Sequence, residues 1–552
     1  MKLNHIKYKY IFLCLLLLGL TSCKKDFLNQ KNPLAISDEE VWTDPALIAM
    51  YVNSIYNDVP GWDMGQLFSS ISDESMVTYS TDASHTVLRG DWSAVSNPMG
   101  YWPYASIRKC NEFFARIDAA PVDNATKTIM KGEVRFLRAF LYYNLTIRYG
   151  GVPIILRPQK ITDDLQVSRN TLDESFNFII TQMDSAANEL PKDALRGKAT
   201  KGAAMAMKGR TLTFYASPLY NEAHDNARWK AAADANLAVM NLGKYTLNPD
   251  LKRIWLDGTE GNKEPIFEVC YAIPQKHHYL DAIVKPLIVA NNTAGMRNPY
   301  QELVNAYPMK NGKLISESGS GYDLNDPYVG RDDRFYNDIA YNGAKIKGTA
   351  SGPPVREITL QIYKGGRDYD EIPGYQIYNT YTGYYSTKMI NQENAVYRAG
   401  FGSTQPWLEI RYAEVLLNYA EAQNEYLGSP DASVYEALNK IRRRAGIIND
   451  IPAGSLNKES MRAAIANERY VELSYECKRY WDLRRWKTAD KVLNGVKFTG
   501  VVTTKKPDGS FTYEYKPAVT QFGIFLPKMY FMPLPQSEIT KNKKLVQNPG
   551  WE

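Results

Sequence analysis

Several signatures of chemistry are missing from this chain of 552 residues. Only five histidines are present, His5, His85, His224, His277 and His278, and no H-E-x-x-H or comparable spacing accompanies them. A metal site built on histidine is therefore not indicated. A G-x-S-x-G nucleophile motif is also absent, and Gly319-Ser320-Gly321 lacks the preceding strand and following helix that such a motif requires. Gly365-Gly366 belongs to no phosphate loop. Cysteine is scarce and widely spaced, so neither a disulfide framework nor a C-x-x-C metal site is visible. The net charge of +6 includes Lys2, Lys7 and Lys9, which lie in an acid-free stretch of 22 residues. The remaining chain is thus near +3 (6 minus 3), too close to neutral for a nucleic-acid footprint. No cofactor is implied.

A basic start is present instead, followed by a short apolar run, Ile11 to Leu20, too short to span a bilayer. It leads into Leu20-Thr21-Ser22-Cys23, which resembles a bacterial lipobox. Residues 1–22 then read as a lipoprotein signal peptide, and Cys23 as the lipidated first residue of the mature protein. Acyl chains contribute about 0.8 kcal/mol per buried CH₂, so several of them anchor a protein durably. Lys24-Lys25-Asp26 after the cysteine resembles a signal for export to the cell surface. No linker divides residues 23–552, which read as a single body.

Apolar periodicity predicts helices over 39–57, 104–117, 125–149, 172–190, 200–215, 229–242, 407–426, 432–445 and 458–487. Residues 152–156 and 263–271 read as strands. Residues 61–100 lose period, as does most of the middle, about 263–405. Long irregular stretches in a compact chain are often functional. Helix pairs with alanine-rich inner faces, 203–215 with 229–242 and 412–422 with 435–445, resemble tetratricopeptide units.

The densest stretch is Asn467 to Lys487. Ala466, Tyr470, Leu473, Cys477, Tyr480 and Trp481 form an apolar stripe, with Glu468, Glu472, Glu476 and Arg479 opposite. Three carboxylates suggest acid/base work. Glycan hydrolysis, however, needs two carboxylates facing each other across a cleft, roughly 5–9 Å apart, whereas these are stacked along one helix face. A structural charge network, shared with Asp482, Arg484 and Arg485, is the expected role.

The order of the motifs carries a family resemblance. Cys23 with Lys24 to Leu28 comes first, then Ile107 to Asn111, Gly132 to Pro153 and Ala199 to Ala204. Glu302 to Tyr307, Asn325-Asp326-Pro327 with Arg331 to Phe335, Arg411 to Leu417, Glu468 to Trp486, and Pro533 to Ile539 with Asn548-Pro549-Gly550 follow. Together they resemble the SusD/RagB nutrient-binding outer-membrane lipoproteins of Bacteroidetes. The resemblance implies a mainly α fold, with four tetratricopeptide-type helix pairs supporting a loop-rich ligand side with a few short strands. It further implies an oligosaccharide ligand (a peptide in some members), a TonB-dependent outer-membrane transporter as partner, an outer-membrane location facing the exterior, and no catalysis. A secreted glycan hydrolase and a tetratricopeptide-type adhesion scaffold are the alternatives.

Sugar recognition calls for flat apolar faces and polar partners, and tyrosine and tryptophan offer such faces at low entropic cost. Arg89, Trp92, Asn97 and Trp102 cluster in and beside the N-terminal irregular loop, where the family places ligand contacts. The loop at 272–300 adds Tyr279, Arg297, Asn298 and Tyr300. Core packing is the competing role for each aromatic. The tyrosine run from Tyr369 to Tyr385 fits the ligand side, the transporter contact or a surface structural loop.

Overall fold

A computed structural model describes residues 38–78, 82–256, 261–286, 295–348, 354–369, 380–393, 402–519 and 522–552. Its frame is a series of helices, each packed on the next. Asn124–Tyr149 packs on Leu172–Glu189, which packs on Lys201–Ala216, which packs on Asn226–Met240. The last of these packs on Tyr412–Tyr426, which holds Ala432–Arg444 and Lys458–Glu472. The stack therefore continues across the long loop-rich insertion as though it were absent.

Local chemistry sets the boundaries. Asp123, Thr171, Thr200, Asp225, Asp431 and Asn457 each cap a helix by accepting a backbone N–H, which satisfies donors with no intrahelical partner. At Thr171 the cap is a reciprocal capping box with Glu174. Where Lys201–Ala216 meets Asn226–Met240, Gly209 permits the contact. A Cβ there would sit 2.6 Å from Asn236 Oδ1.

The sequence reading needs five corrections. Pro45 splits 39–57 into Asp38–Val41 and Pro45–Tyr56, with Asp44 capping the second piece. Residues 61–100 contain the helices Trp62–Ser70 and Ala83–Leu88. Residues 152–156 form no strand, because side chains take the amides a partner strand would use. Asn170 Oδ1 accepts from Ile154 N (2.9 Å) and the Tyr142 hydroxyl from Ile155 N (2.7 Å). Trp407–Arg411 is a strand antiparallel to Pro265–Val269, and helix begins only at Tyr412.

Finally, 458–487 is two helices, Lys458–Glu472 and Arg479–Arg485. Between them Tyr475 and Cys477 adopt positive φ, 64° and 59°, strained for residues with a Cβ. Surrounding side chains fix this turn. Arg411 and Lys388 donate to the Glu472 carbonyl, both at 2.7 Å, and Glu74 accepts the Tyr475 amide at 3.0 Å.

Candidate ligand-binding site

The three glutamates of the C-terminal motif do not face solvent. Glu468, Glu472 and Glu476 are 2%, 2% and 1% exposed, as buried as the apolar stripe. Arg411, on the mid-chain strand, binds Glu264, Glu472 and Glu476. Arg334 binds Asp332, Glu468 and Glu472, and Arg444 joins Glu264 to Glu472. Lys388 lies 2.9 Å from Glu476. Burial alone would raise the carboxyl pKa of Glu472. Arg444, Arg411 and Arg334 instead hold it well below the ordinary range, so it stays ionised. Arg479, drawn beside the glutamates by periodicity, pairs with Asp73 at 2.7 Å. Asp482 binds Arg469 and Arg485, and Arg485 also binds Glu421. These carboxylates join segments of the chain through the arginines they share.

The N-terminal loop is packed against the C-terminal tail. Ile524 N donates to Leu88 O (2.8 Å) and Gln536 N to Ala94 O (2.9 Å). Trp92, 5% exposed, lies beneath Trp551 with ring centroids 4.7 Å apart. Reading Trp92 as an open sugar platform is therefore corrected, because its ring is part of the core. Asn97 accepts from Met99 N through its own side chain (3.0 Å) and shapes the turn. Arg89 is half-exposed and paired with Asp91 at 2.8 Å. Trp102 is half-buried, against Tyr104 at 4.9 Å and Tyr149 at 5.2 Å.

The mid-chain residues divide. Tyr279 is 45% exposed and lies across the His277 ring at 5.3 Å. Arg297, Asn298 and Tyr300 are core residues at 1%, 0% and 0% exposure, which corrects their reading as ligand contacts. Arg297 donates to Lys388 O and lies over Tyr475, and Tyr300 stacks on Phe498 at 4.7 Å. Asn298 pairs with Met76 in a short antiparallel ladder. Of the tyrosine run, Tyr384 and Tyr385 are buried, while Tyr375 and Tyr378 lie outside the described residues, as does Cys23. The residues predicted for the site thus lie on separate segments. Those that retain solvent faces are Arg89, Trp102, Tyr279 and part of Asn97.

One aromatic surface was not anticipated. Tyr328 is buried at the centre of a cluster with Tyr341 (4.3 Å) and Tyr513 (5.5 Å), and Tyr336 and Tyr515 stand at its edge, 43% and 37% exposed. The abundance of tyrosine in the sequence was its only signal. Among the described residues, no group of three or more His, Cys, Asp or Glu is arranged to hold a metal ion, and no helix is long and apolar enough to cross a membrane.

Comparison with known proteins matches two family models in series. "Starch-binding associating with outer membrane" covers residues 26–212, and "SusD family" covers 263–551. SusD-like protein P2 of Formosa agariphila is 25% identical, over 99% of this chain and 100% of its own length. A SusD-like protein of Bacteroides fragilis, solved by crystallography, superposes with a TM-score of 0.79 at 28% identity, over 94% of this chain and all of the other. A laminarin-binding SusD-like protein shares the fold, with a TM-score of 0.66 at 19% identity over 92% of this chain and all of the other. The mainly helical fold agrees with these matches, and the chain belongs to the SusD family.

Proposed function

We propose that the protein is a surface lipoprotein, anchored through Cys23, that captures an oligosaccharide and passes it uncut to a TonB-dependent outer-membrane transporter. Membership of a carbohydrate-binding family along nearly the whole chain carries this reading. Two features of the fold support it. The carboxylates of the C-terminal motif are committed to arginines, as structural charges are. Aromatic and polar side chains with open faces, Trp102, Arg89 and Tyr279, stand on or beside loops. Each such contact is small, so binding in the millimolar to micromolar range, about 4–8 kcal/mol, requires several together.

Calorimetry of the protein lacking residues 1–23 tests the reading, with laminarin, amylopectin, xylan and a mixed peptide digest as probes. Laminarin comes first because a protein of this fold binds it. Saturable binding of one glycan is the expected result, weakened at least about tenfold (about 1.4 kcal/mol) by Trp102→Ala with Tyr279→Ala. Binding of the digest alone would replace glycan with peptide cargo, and equal affinity in the double variant would move the site elsewhere. Co-purification with a large outer-membrane barrel tests the hand-off.

A further inference from the structure

A cavity of about 470 Å³ opens between the helices of the stack. That volume falls within the range of small-ligand sites, roughly 300–1,000 Å³. Its aromatic walls are Trp229, from Asn226–Met240, and Trp486, just after Arg479–Arg485. Trp486 is held in place on two sides. Its Nε1 donates to Glu421 Oε1 at 2.7 Å, and Arg485 lies over one ring face at 4.7 Å. Glu421 is itself fixed by Arg485, at 2.6 Å through Nη2. The indole is therefore rigid before any ligand arrives, which lowers the entropic cost of binding.

Polar groups border this apolar wall. Arg462 and Glu425 form a bidentate pair at 2.5 and 2.7 Å, and the arginine side chain is 49% exposed. Donors and acceptors thus stand side by side next to flat indole rings. Glu421, Glu425 and Glu459 all line the cleft; Arg485 and Arg462 neutralise the first two, and the Arg462 charge also acts on Glu459, so the lining is only weakly acidic. From this geometry we infer that the cleft is a second binding site for a neutral sugar unit, with the ring's C–H face on Trp486 or Trp229 and its hydroxyls on the Arg462–Glu425 pair. The ligand class rests on the glycan reading above, whereas the location is independent of it.

Blocking the cleft tests the inference. Ala463 lines it from an exposed position on Lys458–Glu472, so Ala463→Trp fills the space without disturbing the core. The probes are laminarihexaose, maltohexaose and xylohexaose, titrated into the protein lacking residues 1–23, its Ala463→Trp variant, and the Trp102→Ala/Tyr279→Ala variant. Two sites per wild-type chain are expected, with one lost in Ala463→Trp and the other weakened in the loop variant. Hydrogen exchange should slow with the same probe along Tyr412–Tyr426 and Lys458–Glu472 in the wild type, and not in Ala463→Trp. A single site, unchanged by Ala463→Trp and lost in the loop variant, overturns the cleft and leaves the loop reading standing. No binding of any probe to the wild type overturns both.

Discussion

Replacing Arg411 by alanine is expected to cost about 3–5 kcal/mol of stability, the range found when one partner is removed from a buried ion pair. An arginine has five N–H donors, and here all five are used. Nε donates to Glu476, Nη1 to Glu264 and Glu472, and Nη2 to the Glu472 carbonyl and Glu476, at 2.6–2.7 Å. The side chain is 2% exposed. Truncation would leave three buried carboxylates short of a cation and leave the carbonyl that ends Lys458–Glu472 with Lys388 as its remaining side-chain donor. It would also untie the mid-chain strand Trp407–Arg411 from the C-terminal helices. Arg411→Lys should recover only part of the loss, since an ammonium has three donors and cannot make the fork. Denaturant unfolding of the purified variants reads the effect. A stability within about 1 kcal/mol of wild type for Arg411→Ala would mean that the network contributes little.

Glu74→Gln is expected to act in the opposite direction, and only above acid pH. Glu74 is fully buried, and burial pushes its carboxyl up to about 8, against the effect of the Tyr475 amide that donates to it. Asp73 adds to the rise, while Arg479 and Lys388 oppose it. Below pH of about 4.5 the group is protonated whether the chain is folded or unfolded. Between about 4.5 and about 8 the unfolded chain ionises while the folded one keeps its proton. The folded state then binds more protons, and stability falls as pH rises. Above about 8 the penalty is complete, roughly 3–5 kcal/mol. Glutamine keeps the shape and the acceptor for Tyr475 N without titrating. The difference in stability between Glu74→Gln and wild type should therefore be small at low pH and grow in favour of the variant up to about pH 8. A difference that does not change with pH would show that the Glu74 carboxyl titrates in the fold as it does in the unfolded chain.

The sequence reveals what local periodicity and capping control. Asn124–Tyr149 and Leu172–Glu189 are readable to within a residue from apolar periodicity, and the structure shows Asp123 and Thr171 capping their starts. Trp407–Arg411 is not readable as a strand. Its short apolar run continues into Tyr412–Tyr426, and a run of that length does not separate strand from helix. Burial of the glutamates is not readable either. Spacing places Glu468, Glu472 and Glu476 together, but the cations that bury them come from Arg334, Lys388, Arg411 and Arg444, distant in the chain. The candidate site suffers most from this limit. Trp92 reads as a loop aromatic until Trp551, at the far end of the chain, covers it. Arg297 and Tyr300 read as loop residues until Tyr475 and Phe498 enclose them. Among the described residues, no distant segment covers Tyr279 or Trp102 completely.

Buried and held by arginines, the C-terminal glutamates serve as frame rather than as ligand contacts. Glu472→Gln, followed by thermal unfolding and by titration with the glycan that wild type binds, tests this most directly. Removing the charge that Arg334, Arg411 and Arg444 share should lower the unfolding midpoint and leave affinity for the glycan unchanged. An unchanged midpoint with abolished binding would contradict the account and make Glu472 part of the ligand site.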